Sequence, residues 1–192
     1  MYIVDNKLYK DEWLAIETER LRLAVLRKSA VDKVTDYYVR NLEFHRQWSQ
    51  THSDDYFTKK TQKQYLKADE VGFFNDELVP FYVCTKDDRE RIIGRVSLFN
   101  IARGGMQSAI IGYHQDENSQ GNGYMLEAVK AATAFGIEYM KLHRIEACIM
   151  PHNERSLNLI RKAGYEEDGY KRKYMHINGE WRDHVSFAYL DE

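Results

Sequence analysis

Apolar residues in this chain alternate in some stretches and recur every three or four residues in others, and the change of period marks out its elements. Leu21, Leu23 and Val25 alternate with Arg22, Ala24 and Leu26, the two-residue period of a strand with one buried face. From Ala30 to Trp48, Val31, Val34, Tyr38, Leu42 and His45 recur at helical spacing, with Ser29 placed to cap. Tyr65, Ala68, Glu70 and Val71 repeat the helical pattern less cleanly, so two helices are expected within residues 30–77. From Leu78 the period returns to two in LVPFYVCT, RIIGRVSLFN and QSAIIGYHQ, separated by Lys86-Asp87-Asp88 and Arg103-Gly104-Gly105, which predicts an antiparallel meander. Pro80 falls near the start of its strand, where a sheet tolerates it.

A helix follows from Tyr124 to Lys141, with Met125, Val129, Ala132, Phe135 and Met140 as its apolar stripe. RIEACIMP reads as a strand stopped by Pro151; Asn153 caps a helix running to Ala163, and Gly164 ends it. The tail is a hairpin about Asn178-Gly179, a pair suited to the positive φ angles of a type I′ turn. The first sixteen residues are charged and weakly patterned. The expected organisation is therefore an extension over 1–16 and one domain over 17–192, a size that one core can serve.

Composition narrows the function classes. With 28 basic and 30 acidic residues the net charge is -2, which gives no general field for a nucleic-acid backbone. No run approaches the ~18–20 consecutive apolar residues of a membrane helix and the start has no signal-peptide pattern, so a cytoplasmic protein with neither nucleic-acid nor membrane partners is expected. Cys84 and Cys148 are too few for a disulfide framework and read as buried reduced thiols. The seven histidines show no metal-type grouping, so no metal is expected.

The stretch richest in chemistry is Ile110-Ile111-Gly112-Tyr113-His114, followed by Gln120-Gly121-Asn122-Gly123-Tyr124-Met125 and a long helix. A helix start offers free backbone N–H groups and the positive end of the helix dipole, and glycines let backbone approach an anion. A P-loop would need Lys and Ser/Thr after its second glycine, which this loop lacks. A dinucleotide fold would need a third glycine where Leu126 stands, and Glu146 only imitates the acid that binds its ribose. An antiparallel meander ahead of the loop also disfavours a doubly wound parallel sheet.

The loop resembles the Q/R-x-x-G-x-G/A motif of the GNAT acetyltransferase superfamily, departing from it at Met125. The resemblance runs from Glu17-Thr18-Glu19-Arg20-Leu21-Arg22-Leu23 through IGYHQDENSQGNGYMLEAVKA and RIEACIMPHNERSLNLIRKAGYEEDG to INGEWRDHVSFAYL, and is strongest to the ribosomal-protein N-terminal alanine acetyltransferase branch. It implies an α/β (α+β) GNAT acyl-CoA N-acyltransferase fold, with a mixed, mostly antiparallel central sheet flanked by helices. It also implies an acetyl-CoA-dependent N-acetyltransferase, an acyltransferase acting on a primary amine and foremost a protein N-terminus. A small amine acceptor (aminoglycoside, polyamine or amino acid) and a CoA-binding regulatory module without efficient catalysis are the alternatives. A monomer and a homodimer both fit.

By the same resemblance, Ile111, Gly112 and Tyr113 pair with the pantetheine arm, and Gln120, Gly121, Asn122, Gly123, Tyr124 and Met125 hold the pyrophosphate. Asn153 contacts pantetheine or water, and Ser156 protonates the departing sulfur, because Ile160 stands where many relatives carry a tyrosine. Asn153 and Ser156 also suit a plain helix start, and both readings stand. Met175 occupies the position where some relatives place a glutamate base. Glu146 is then the candidate base, acting through water, or alternatively an ion-pair partner of Arg144. Tyr37, Tyr38, Phe44, Trp48, Phe73 and Phe74 fall on the acceptor side, most of them as core and one or two lining the pocket; His114 is a partly exposed strand-end histidine or lines that pocket, and Lys171-Arg172-Lys173 is a solvated face or an attractor of acidic protein.

Overall fold

The computed structural model describes residues 3–4 and 7–191. Their nine strands form one sheet: β1 (Ile3–Val4), β2 (Glu12–Glu17), β3 (Leu21–Leu26), β4 (Leu78–Thr85), β5 (Ile92–Ala102), β6 (Ser108–Gln115), β7 (Arg144–Ile149), β8 (Glu166–Ile177) and β9 (Glu180–Leu190). Their order in space is β1-β2-β3-β4-β5-β6-β7-β9-β8, antiparallel throughout except for the parallel pair β6–β7. The meander expected from Leu78 is present, and the sheet is mixed and mostly antiparallel.

Helices α4 (Tyr124–Ala134) and α5 (Glu154–Lys162) cover one face, where Ala128, Val129, Phe135, Leu157 and Ile160 pack with Leu23, Phe81, Val96, Leu98 and Ile111. Phe135 meets Phe81 edge-on at 5.3 Å between centroids, and truncating such a side chain to alanine costs about 3–5 kcal/mol. A smaller core on the other face joins Ala24, Leu26 and Tyr82 to Val34, Tyr37, Tyr38 and Leu66.

Three helices fill the region where two were expected: α1 (Val31–Arg40), α2 (Leu42–Arg46) and α3 (Lys59–Phe74). Ser29 lies in a short 3-10 turn, and α1 starts after Ala30 without a side-chain cap. β3 also departs from the one-faced reading, since all six of its residues are buried. It lies between β2 and β4 with packed layers on both faces, so Arg22 is buried outright and is satisfied by Glu12 at 2.5 Å and Glu17 at 2.8 Å. At the C-terminal hairpin, Asn178 and Gly179 both take positive φ, 46° and 82°, as a type I′ turn requires.

Candidate active site

Two features of the sheet locate the site. β6 and β7 pair only from Ser108↔Arg144 to Ile110↔Glu146, although β6 runs on to Gln115 and β7 to Ile149. Past that point the strands diverge, and the β7-facing edge of residues 111–115 lies open to an extended ligand. The wedge points toward the loop that follows β6.

That loop is held from outside. Asp116, fully buried, ion-pairs with Arg40 at 2.6 Å and Arg91 at 3.4 Å, and accepts the Asn118 N–H at 2.9 Å. Burial alone would raise the Asp116 pKa, but these hydrogen bonds and charges hold it below the usual range. Beyond it, Gly121 and Gly123 take φ of 80° and 74°, a region that L side chains rarely enter, and nothing lies within 4 Å of where a Gly121 Cβ would stand. Gly123 is the N-cap of α4 and supplies no side-chain acceptor. The first-turn N–H groups of α4 are therefore left without a side-chain cap, the arrangement that takes an anion. The donor set fits a diphosphate.

α5 closes the other side of the wedge. Asn153 Oδ1 accepts the Ser156 N–H at 3.2 Å, so the expected cap exists, and Arg155 donates to the Gln120 side chain, tying α5 to the glycine loop. Tyr113 crosses the wedge: its hydroxyl lies 2.7 Å from Ser156 Oγ and donates to the Ser156 carbonyl at 3.2 Å. Burial pushes the Tyr113 hydroxyl up to about 12, so it stays protonated. Sequence reasoning placed Tyr113 in the site through its backbone and missed its hydroxyl, because strand register across the wedge decides which side chain reaches Ser156.

Glu146 lies elsewhere. Ala147 and Ile149 turn into the α5 core, so strand alternation puts Glu146 on the opposite face of β7. There it meets Arg144 Nε at 2.8 Å and Lys171 Nζ at 3.5 Å, the ion-pair arrangement. Lys171 also lies 3.4 Å from the Sγ of Cys148, which is half-buried rather than buried. Cys84 is buried, and burial pushes its thiol up to about 12. Met175 faces Arg182 across the hairpin.

The face carrying α1 and α2 presents aromatic and histidine side chains toward the end of β6. The Tyr37 hydroxyl lies 2.6 Å from His114 Nδ1, and His45 Nε2 donates to the Gln115 carbonyl at 2.8 Å. Burial, helped by His45 and Arg95, holds His114 well below its usual pKa; burial also lowers His45. Both are neutral at pH 7. Further out, Trp48 stacks on His152 at 5.6 Å, and the Asn178 N–H donates to the Ser49 carbonyl at 3.3 Å, joining the segment after α2 to the hairpin. An open cleft of about 300 Å³ lies there, lined by Pro151, His152, Tyr170, Lys173, Trp181 and Arg182 among others. Among the described residues no helix is long and apolar enough to cross a membrane.

Comparison with known proteins agrees with this geometry. Residues 20–166 match the family model described as the acetyltransferase (GNAT) domain. The chain is 40% identical over 151 residues to the probable N-acetyltransferase YjcK of Bacillus subtilis, covering 79% of this chain and 83% of that one. It is 32% identical over 174 residues to the [ribosomal protein uS5]-alanine N-acetyltransferase of Escherichia coli, covering 90% and 89%. The crystal structure of a ribosomal-protein-S5-alanine acetyltransferase from Vibrio fischeri superimposes with a TM-score of 0.87 at 29% identity, over 93% of this chain and 97% of that one. A split sheet, a glycine-opened helix and matches of this extent lead to one conclusion: the chain belongs to the GNAT acetyltransferase family.

Proposed function

We propose that this protein transfers the acetyl group of acetyl-CoA to the N-terminal amine of a protein, with alanine or serine at the terminus. The observation that carries the reading is the joining of a parallel-strand wedge to the glycine-opened start of α4, with an open cleft beyond it. Bound in this way, acetyl-CoA supplies the activated acyl group. Residues 111–113 pair with its pantetheine arm, and the 120–125 loop takes its diphosphate. Asn153, besides capping α5, faces the same arm.

In the transfer, the amine nitrogen bonds to the acyl carbon, the carbon–sulfur bond breaks, and sulfur accepts a proton. Ser156 Oγ is the donor in this reading; nitrogen sheds one proton to water as the amide forms, and Ser156 is reprotonated from water by way of the neighbouring Tyr113 hydroxyl, which ends the cycle protonated. The amine must arrive neutral. Glu146, engaged by Arg144 and Lys171, takes that proton only through water. The kinship with the uS5-alanine enzyme supports a protein terminus as acceptor, and so does the openness of the cleft between the β7–α5 turn and the hairpin.

Incubation with acetyl-CoA and a panel of Ala- and Ser-starting peptides, with polyamines and aminoglycosides as competitors, tests the reading by release of free CoA. Turnover should be confined to the peptides. Turnover with the small amines alone, or none in a protein that binds CoA, contradicts it.

A further inference from the structure

Thr18 and Arg20 stand just before β3, more than a hundred residues from α4 in sequence, yet both close on the first turn of that helix. Glu127 is the meeting point. Its Oε1 accepts the Thr18 hydroxyl at 2.5 Å and the Arg20 backbone N–H at 3.0 Å, and its Oε2 accepts Arg20 Nε at 2.7 Å. Burial alone would raise the Glu127 pKa, but these hydrogen bonds hold it below the ordinary range, so it is ionised.

The rest of the guanidinium reaches the glycine loop. Arg20 Nη1 donates to the Asn122 carbonyl at 2.9 Å, and Nη2 lies 3.6 Å from where a Cβ on Gly123 would stand. The plane of the guanidinium caps the Tyr124 ring at 4.8 Å. A peptide unit is planar and trans, so fixing the Asn122 carbonyl toward Arg20 turns the Gly123 N–H the opposite way. The charge balance matters as well. A carboxylate in the first turn favours the helix dipole but repels an incoming diphosphate, and Arg20 cancels it.

We infer that Arg20 is a positioning residue for the diphosphate loop: it fixes the 122–123 peptide and neutralises Glu127, so that the anion meets a loop already formed. The inference rests on the proposed reading that this loop takes CoA. Neither role is visible from the loop's own sequence.

Calorimetric titration of the full chain with CoA and with 3′-dephospho-CoA, beside acetyl-CoA kinetics, tests it. Arg20→Ala should weaken both ligands roughly tenfold or more, the scale of a charge-assisted hydrogen bond lost. The KM for acetyl-CoA should rise in step while kcat at saturation stays within about twofold, a split that simple loss of folded protein does not produce. Arg20→Lys keeps the charge without the fork and should recover only part of the affinity. Adding Glu127→Gln to Arg20→Ala should tighten binding by about threefold, because it removes the uncompensated carboxylate. If Arg20→Ala does not fold, Arg20→Lys carries the comparison. Unchanged affinity, a loss confined to CoA but not its dephospho form, or a double variant no tighter than Arg20→Ala each overturns the role of Arg20. Wild type that binds neither ligand sinks the functional reading itself.

Discussion

In the proposed reading, the anion loop on the cofactor side of the wedge and the helix it opens come from one continuous stretch, and the groups that would meet the anion are backbone amides set by Gly121 and Gly123. On the acceptor side, Tyr37 meets His114 across 77 positions of sequence, Trp48 meets His152, and Ser49 meets Asn178. A backbone site needs the right turn, and side chains such as Arg20 and Asp116 act on it by holding that turn. A site built from distant side chains depends on each of them and can be retuned one by one.

Three perturbations bear on this comparison. The largest effect is expected where the two sides meet: Ser156→Ala should lower kcat by about a hundredfold while leaving the Kd for CoA nearly unchanged, since general acid help is worth roughly 10²–10⁴-fold. Rapid-quench turnover beside calorimetry would show the split, and an unaltered kcat would remove Ser156 from the proton path. On the backbone side, Gly123→Val forces a β-branched residue to a φ of 74° and should weaken CoA by about thirtyfold, equivalent to about 2 kcal/mol of strain. Equal affinity in that variant would mean that the loop geometry is not what holds the cofactor.

The smallest effect belongs to the buried histidines. His114 and His45 have folded pKa values below the ordinary 6.5, so below that pH the unfolded chain binds more protons than the folded one. Stability should therefore hold above pH 6.5 and fall as pH drops toward 5.5, by up to about 1.4 kcal/mol per pH unit for each histidine. Urea titrations at pH 7.5 and 5.5 should show that drop, and His114→Gln should flatten it. Equal slopes in the two proteins would mean that His114 is not held neutral.

The same contrast explains what the sequence disclosed. The meander, the hairpin turn, the Asn153 cap and the glycine loop are local, each set by residues within a few positions of one another, and each was legible. Glu146 was legible as a residue but not in its surroundings, because Lys171 reaches it only through pairing of the hairpin with β7. The Tyr113 hydroxyl, the Thr18–Arg20–Glu127 brace and the burial of Arg22 depend on which strand lies beside which. The Glu17–Leu23 segment belonged to the family pattern, yet nothing in its spacing pointed to α4. Three helices in place of two arose because the residues after Arg40 turn at Asn41, whose side chain donates to the Tyr37 carbonyl and accepts the Glu117 N–H.

The most direct test of the central claim is to follow the backbone amides of isotope-labelled protein during titration with CoA. The largest shifts should fall on Gly121, Gly123, Tyr124 and Met125, with a second group along residues 111–113. Saturable binding with the largest shifts instead around the hairpin cleft at Trp181 and Arg182 would contradict it.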